Sequence, residues 1–124
     1  MKKVLIVLLS VIFLQSCYYD KEELLYPVTE TPCDTSNVTY SGSVSPIASQ
    51  YCLSCHSNAS AATAGAGIKL EDYADIKVLA DNGKLLGSVK HETGISAMPK
   101  GGGKLNNCNI SLIELWVNSG APNN

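Results

Sequence analysis

Arginine is absent from these 124 residues, phenylalanine occurs once and tryptophan once. A nucleic-acid-binding face is built on clustered basic residues, usually with Arg forks. Here nine lysines stand against eleven acids, for a net charge of −2. That balance argues against nucleic acid as a partner. No apolar run approaches the roughly 20 residues that a membrane-spanning helix needs. Ser, His and Asp form no triad-like group, and no glycine-rich loop has phosphate-binding spacing after a strand. Large apolar side chains are also scarce. Beyond residue 16 only 24 of 108 residues are Val, Ile, Leu, Met or Trp. A segment of that size is one folding unit. Its thin core predicts reliance on a disulfide, a metal or a bound cofactor. Multi-domain enzymes, long coiled coils and polytopic membrane proteins are excluded.

The features that are present begin at the N-terminus. Met1-Lys2-Lys3 precedes the apolar run Val4–Leu14, broken only at Ser10. A charged segment followed by a short apolar one is the layout of a secretory signal. The run ends in Leu14-Gln15-Ser16-Cys17, which resembles a bacterial lipobox, with a small residue before a cysteine that is lipidated. The alternative is cleavage nearby, with Cys17 left as an ordinary thiol. Residues 1–16 are therefore expected to be a lipoprotein signal peptide. Residues 17–32, with two prolines and four acids and no lasting periodicity, are expected to be a lipid anchor and flexible tether. Residues 33–124 are expected to form the domain. This layout predicts an exported protein on the periplasmic side of the cell envelope, held to a membrane by lipid.

Export places the domain where disulfides persist. Of the five cysteines, Cys52 and Cys55 belong to Cys52-Leu53-Ser54-Cys55, followed directly by His56. That is the pattern of c-type haem attachment: two thiols bond to the porphyrin vinyl groups and the adjacent imidazole reaches the iron. Three residues apart on a helix, the two sulfurs share a face. Rival readings fit less well. A thioredoxin-like pair needs alternating strands and helices, and a structural zinc site needs a second ligand pair at finger spacing. Neither is present. With Cys17 assigned to lipid, Cys33 and Cys108 remain. A bridge between them closes a loop of about 75 residues, worth roughly 4 kcal/mol in the chain-entropy model. Other pairings stay open if Cys52 and Cys55 are not consumed by haem.

Three segments carry helix signals. Ser43 to Pro46 opens the first, which runs into the Cys-x-x-Cys-His. The second spans Glu71 to about Asn82, with Asp72 as cap and Gly83 as stop. The third spans about Asn109 to Ser119, with Ile110, Ile113 and Val117 or Leu112, Leu115 and Trp116 inward. Nothing alternates as a strand for more than a few residues. Between the second and third helices lies Gly94–Lys104, which contains Met98, the only methionine after the leader. A thioether is a soft ligand to haem iron, and Pro99 would stiffen the loop that presents it. A lone Met is otherwise a core gap-filler. His91 is the competing axial ligand.

On these residues the chain resembles the class I c-type cytochromes, above all short single-haem bacterial lipoproteins of the Bacteroidetes-like kind. The likeness rests on Cys52-Leu53-Ser54-Cys55-His56, Ala97-Met98-Pro99 and Leu112–Pro122. It implies an all-α domain: three to four helices around one covalently bound haem, with long loops. It also implies that the first and last helices cross beside the haem, that Trp116 packs at that crossing next to the cofactor, and that His56 and Met98 are the axial ligands. The family's proline after the haem motif is missing here, so a carbonyl near Gly67 or Ile68 must accept from the His56 ring. Ala48 stands where the family's small helix-contact residue is often Gly.

The expected function is one-electron transfer by a membrane-anchored monohaem cytochrome. With both axial positions filled there is no open catalytic site and no small-molecule substrate. Its partners would be redox proteins at the membrane. Lys100 and Lys104 could ring an exposed haem edge and steer an acidic partner, although two solvated loop lysines are the simpler reading. The alternative is a haem-based redox or gas sensor, or an accessory subunit of a respiratory complex. If Cys17 carries the lipid, Cys17→Ser should move the protein from the membrane to the soluble fraction. A variant that stays in the membrane pellet contradicts the anchor.

Overall fold

Thr39 opens the helical part of the chain. Its backbone is extended, and its hydroxyl accepts from the Gly42 N–H at 2.9 Å, the usual device for satisfying a helix start. The computed structural model describes residues 32–124, and all regular structure among them is helical. Tyr40–Val44 winds as a π-helical turn and continues into α1, Ser45–Tyr51, with Pro46 in the first turn, where a missing N–H is harmless. Cys52 joins α1 to α2, Leu53–His56, and a single turn, α3, comes next at Ala61–Ala64. Then come α4, Tyr73–Asp81, α5, Lys84–Lys90, and α6, Asn107–Asn118. The expectation of an all-α domain holds for the described residues. Cys33–Asn124 forms one compact unit. The expected leader, anchor and tether, with Cys17, lie outside the described residues.

The core gathers on α6. Trp116 is fully buried, and Ile113 and Ile110 lie on the same face. The Tyr40 ring leans on Trp116, with centroids 5.8 Å apart, and meets Tyr73 of α4 edge-on at 5.1 Å, the geometry that aromatic quadrupoles favour. The polar ends of these rings are used as well. Trp116 Nε1 donates to the Pro122 carbonyl at 2.9 Å, and the Tyr73 hydroxyl donates to the Ala121 carbonyl at 2.8 Å. The tail thus folds back over the core, and the Asn124 carbonyl accepts from the Ser41 N–H. Cys33 and Cys108 stand at bonding distance, with Cα atoms 5.4 Å apart. They join the start of the domain to the first turn of α6. No helix among the described residues is long and apolar enough to cross a membrane.

Several elements depart from expectation. α4 begins at Tyr73 with Asp72 in the expected cap position, but the Asp72 carboxylate accepts from the Asn58 side chain at 2.9 Å and makes no cap bond. α6 starts two residues early, since the Asn106 side chain caps it by accepting from the Asn109 N–H. The inward face of α6 draws on both apolar sets considered: Ile110 and Ile113 from one and Trp116 from the other are buried, while Leu115 is 43% exposed. α5 carries no clear helix signal in the sequence. It forms because Leu85, Gly87 and Val89 are buried together, and Gly87 leaves room for Ile95, whose Cδ1 would lie 2.3 Å from a Cβ there.

This division of α6 is measurable. Trp116→Ala should cost about 3–5 kcal/mol in urea unfolding, whereas Leu115→Ala should stay within about 1 kcal/mol. Equal losses would contradict the assigned face.

Candidate functional site

The candidate site starts at the single turn Cys52–His56. The Cys52 N–H donates to the Ala48 carbonyl, and the Cys52 carbonyl accepts from the N–H groups of Cys55 and His56. One turn therefore carries both thiols and the imidazole, as the spacing predicts. Cys55 is exposed and Cys52 half-buried. Burial pushes the Cys52 thiol above its ordinary pKa, which keeps it protonated to higher pH.

The His56 ring is 9% exposed and held from one side. Its Nδ1 lies 2.9 Å from the Ile68 carbonyl, and its own carbonyl accepts from the Leu70 N–H at 2.8 Å. A carbonyl can only accept, so Nδ1 carries a proton, and in the neutral ring Nε2 keeps its lone pair. No buried side-chain nitrogen or oxygen among the described residues lacks a partner. The unpartnered Nε2 therefore faces open space. The carbonyl needed in place of the missing proline is thus that of Ile68, one of the two expected positions.

Gly65 makes this approach possible, and sequence reasoning passed over it. A Cβ there would lie 2.5 Å from the Cys55 carbonyl oxygen and 2.9 Å from His56 Nδ1. The chain then reverses through Ala66 and Gly67, both at positive φ, which lets Ile68 point its carbonyl back at the ring. The Ala64-Gly65-Ala66-Gly67 run was the available signal, but its meaning depends on a contact with residues nine or ten positions earlier.

Open space lies in front of this turn. A cavity of about 610 Å³ is lined by Cys52, Cys55 and His56, by Ile68 and Leu70, by Leu79, Leu85 and Val89, and by Met98 with its neighbours. The volume is that of a site for a sizeable, mostly apolar ligand. Met98 is half-buried and comes from the loop after α5, its N–H donating to the Ser88 carbonyl at 3.0 Å. The fold brings Cys52, Cys55, His56 and Met98 to one cavity. Lys84 and Lys100 also line it, while no Asp or Glu does, and Lys104 lies away from the lining.

Three expectations change here. Trp116 does not line the cavity; its indole is spent on Tyr40 and on the Pro122 carbonyl, so it belongs to the core beside the site. His91 does not line it either. Its Nε2 lies 3.0 Å from the Met98 carbonyl, so that nitrogen carries a proton and has no lone pair to offer. The expected haem iron cofactor is also corrected. Among the described residues no group of three or more His, Cys, Asp and Glu side chains comes together to hold a metal ion. The described residues thus build no metal-binding group of their own.

Compared with protein-family models, curated proteins and solved structures, the chain finds no match. The site's chemistry is therefore argued from its own residues. Gly65→Ala should destabilise the domain by about 1–3 kcal/mol, since backbone at 2.5 Å cannot simply move aside. Gly102→Ala, which meets only Pro99 at 3.6 Å, should fall within about 0.5 kcal/mol. Chemical denaturation of both variants checks this, and a neutral Gly65→Ala contradicts the close approach.

Proposed function

We propose that this domain is a one-electron carrier of the kind represented by the class I c-type cytochromes. The observation that carries the reading is the gathering of two thiols, an imidazole with a free Nε2 and a thioether on one apolar cavity. Each part has a use in that chemistry. Thiols three residues apart offer covalent attachment. His56 and the thioether of Met98 reach the cavity from separate segments of the chain. The lining is mostly apolar, as a site for a sizeable apolar group requires. In this reading Cys52 and Cys55 are the points of attachment, and His56 and Met98 line the cavity around the electron-carrying group.

This reading assigns no substrate turnover. It places the domain in an exported, lipid-tethered protein that meets redox partners at a membrane, where a tether raises the effective concentration of a weak partner. Lys84 and Lys100 at the cavity make no ion pair among the described residues. They are placed to meet negative charge on whatever approaches that opening.

Voltammetry of the full mature protein is the test, on material produced by a host that carries out covalent cofactor attachment. A reversible one-electron wave is expected, with the redox-active group staying on the chain after denaturation. Met98→Ala should lower the midpoint potential, and Cys55→Ser should reduce covalent retention. A protein with no reversible wave, or one whose active group washes off on denaturation, contradicts the proposal.

A further inference from the structure

His91 was expected as a rival ligand, and its surroundings give it another task. It closes α5 in the left-handed region, at φ 59° and ψ 44°, which a non-glycine residue adopts only at some cost. From there the chain folds back on the helix it has just left. The Glu92 N–H donates to the Gly87 carbonyl at 2.9 Å, the Ile95 side chain lies against Gly87, and the Met98 N–H donates to the Ser88 carbonyl. The loop is thus closed at its far end by Met98.

Met98 has two backbone polar groups, and both are held. Its N–H is bound by Ser88, and its carbonyl accepts from His91 Nε2 at 3.0 Å. Residues 99–103 offer little further support. Pro99 has no N–H, and Gly101 and Gly103 have no neighbouring atoms where a side chain would begin. His91 is therefore the last side chain that fixes the segment before a run of three glycines.

We infer that His91 is a positioning residue: its Nε2–H clamps the Met98 carbonyl and, with Ser88 on the other side, holds the thioether toward the cavity. What the thioether is positioned for rests on the electron-carrier reading, but the clamp is a property of the chain and can be tested without it. The alternative role, direct ligation by Nε2, is incompatible with that nitrogen donating to a carbonyl.

The chain has two methionines, Met1 and Met98, so methyl-¹³C methionine labelling of the full protein gives at most two signals, assigned with Met98→Leu. The Met98 methyl resonance should be sharp and displaced from that of free methionine. His91→Ala should collapse it onto the free-methionine position or broaden it to loss. His91→Gln, whose amide presents a donor at nearly the same reach, should restore it. The indole N–H signal of Trp116 reports whether the core is intact, and if it moves as well in His91→Ala, His91→Gln alone decides. An unchanged methyl signal in His91→Ala overturns the inference, as does a His91→Gln protein that behaves like His91→Ala. Because the readout needs no electron transfer, a redox-silent protein would count against the function and leave this inference standing on its own result.

Discussion

The hydrogen bond from His56 Nδ1 to the Ile68 carbonyl organises the site. It fixes which nitrogen carries the proton, and so which one is offered to the cavity. It also requires the chain after α3 to pass within contact distance of Cys55 and His56, which only glycine at position 65 permits. A second link from the Leu70 N–H to the His56 carbonyl makes the attachment two-point. One side of the cavity is therefore set by backbone, and such bonds hold their geometry because unmade partners are costly when buried.

The Met98 side is built on a different principle. It rests on a short loop folded back on α5 and ends in glycines. Backbone groups of α5 and one exposed imidazole hold it. Between the two sides lies apolar surface from α4, α5 and the loops, too sparse to fill the middle. The aromatic cluster of Tyr40, Tyr73 and Trp116, with the tail folded over it, supplies the rigid part of the fold. The cavity lies beside that cluster, and the lysines at its lining give it a positive edge on an acidic chain.

Much of this was legible beforehand for identifiable reasons. Cys52, Cys55 and His56 share a turn because spacing on a helix dictates it. The Ile68 carbonyl could be anticipated because a buried imidazole nitrogen needs an acceptor and no proline was available to supply it. Cys33 and Cys108 were expected to pair because the motif and the leader claimed the other three cysteines, and the two stand at bonding distance. α5 was hidden because Gly87 interrupts an otherwise ordinary helical pattern, and its burial depends on Ile95 arriving from the loop beyond it. Gly65 was missed because its role exists only in the contact it makes. Trp116 was placed too near the site, since neither Tyr40 nor the Pro122 carbonyl announces itself as its partner. The metal expectation failed because motif spacing alone does not make a metal-holding group of His, Cys, Asp and Glu side chains, and none is found among the described residues.

The site depends most directly on the protonation pattern of one ring. Imidazole-¹⁵N labelling of the full protein, with the signals assigned by His56→Gln and His91→Gln, reads that pattern in a single spectrum. His56 should bear a slowly exchanging proton on Nδ1 and none on Nε2, with the Nδ1 signal coupled across the hydrogen bond to the Ile68 carbonyl. A proton on Nε2, or rapid exchange between the two nitrogens, would mean that His56 does not present a lone pair to the cavity.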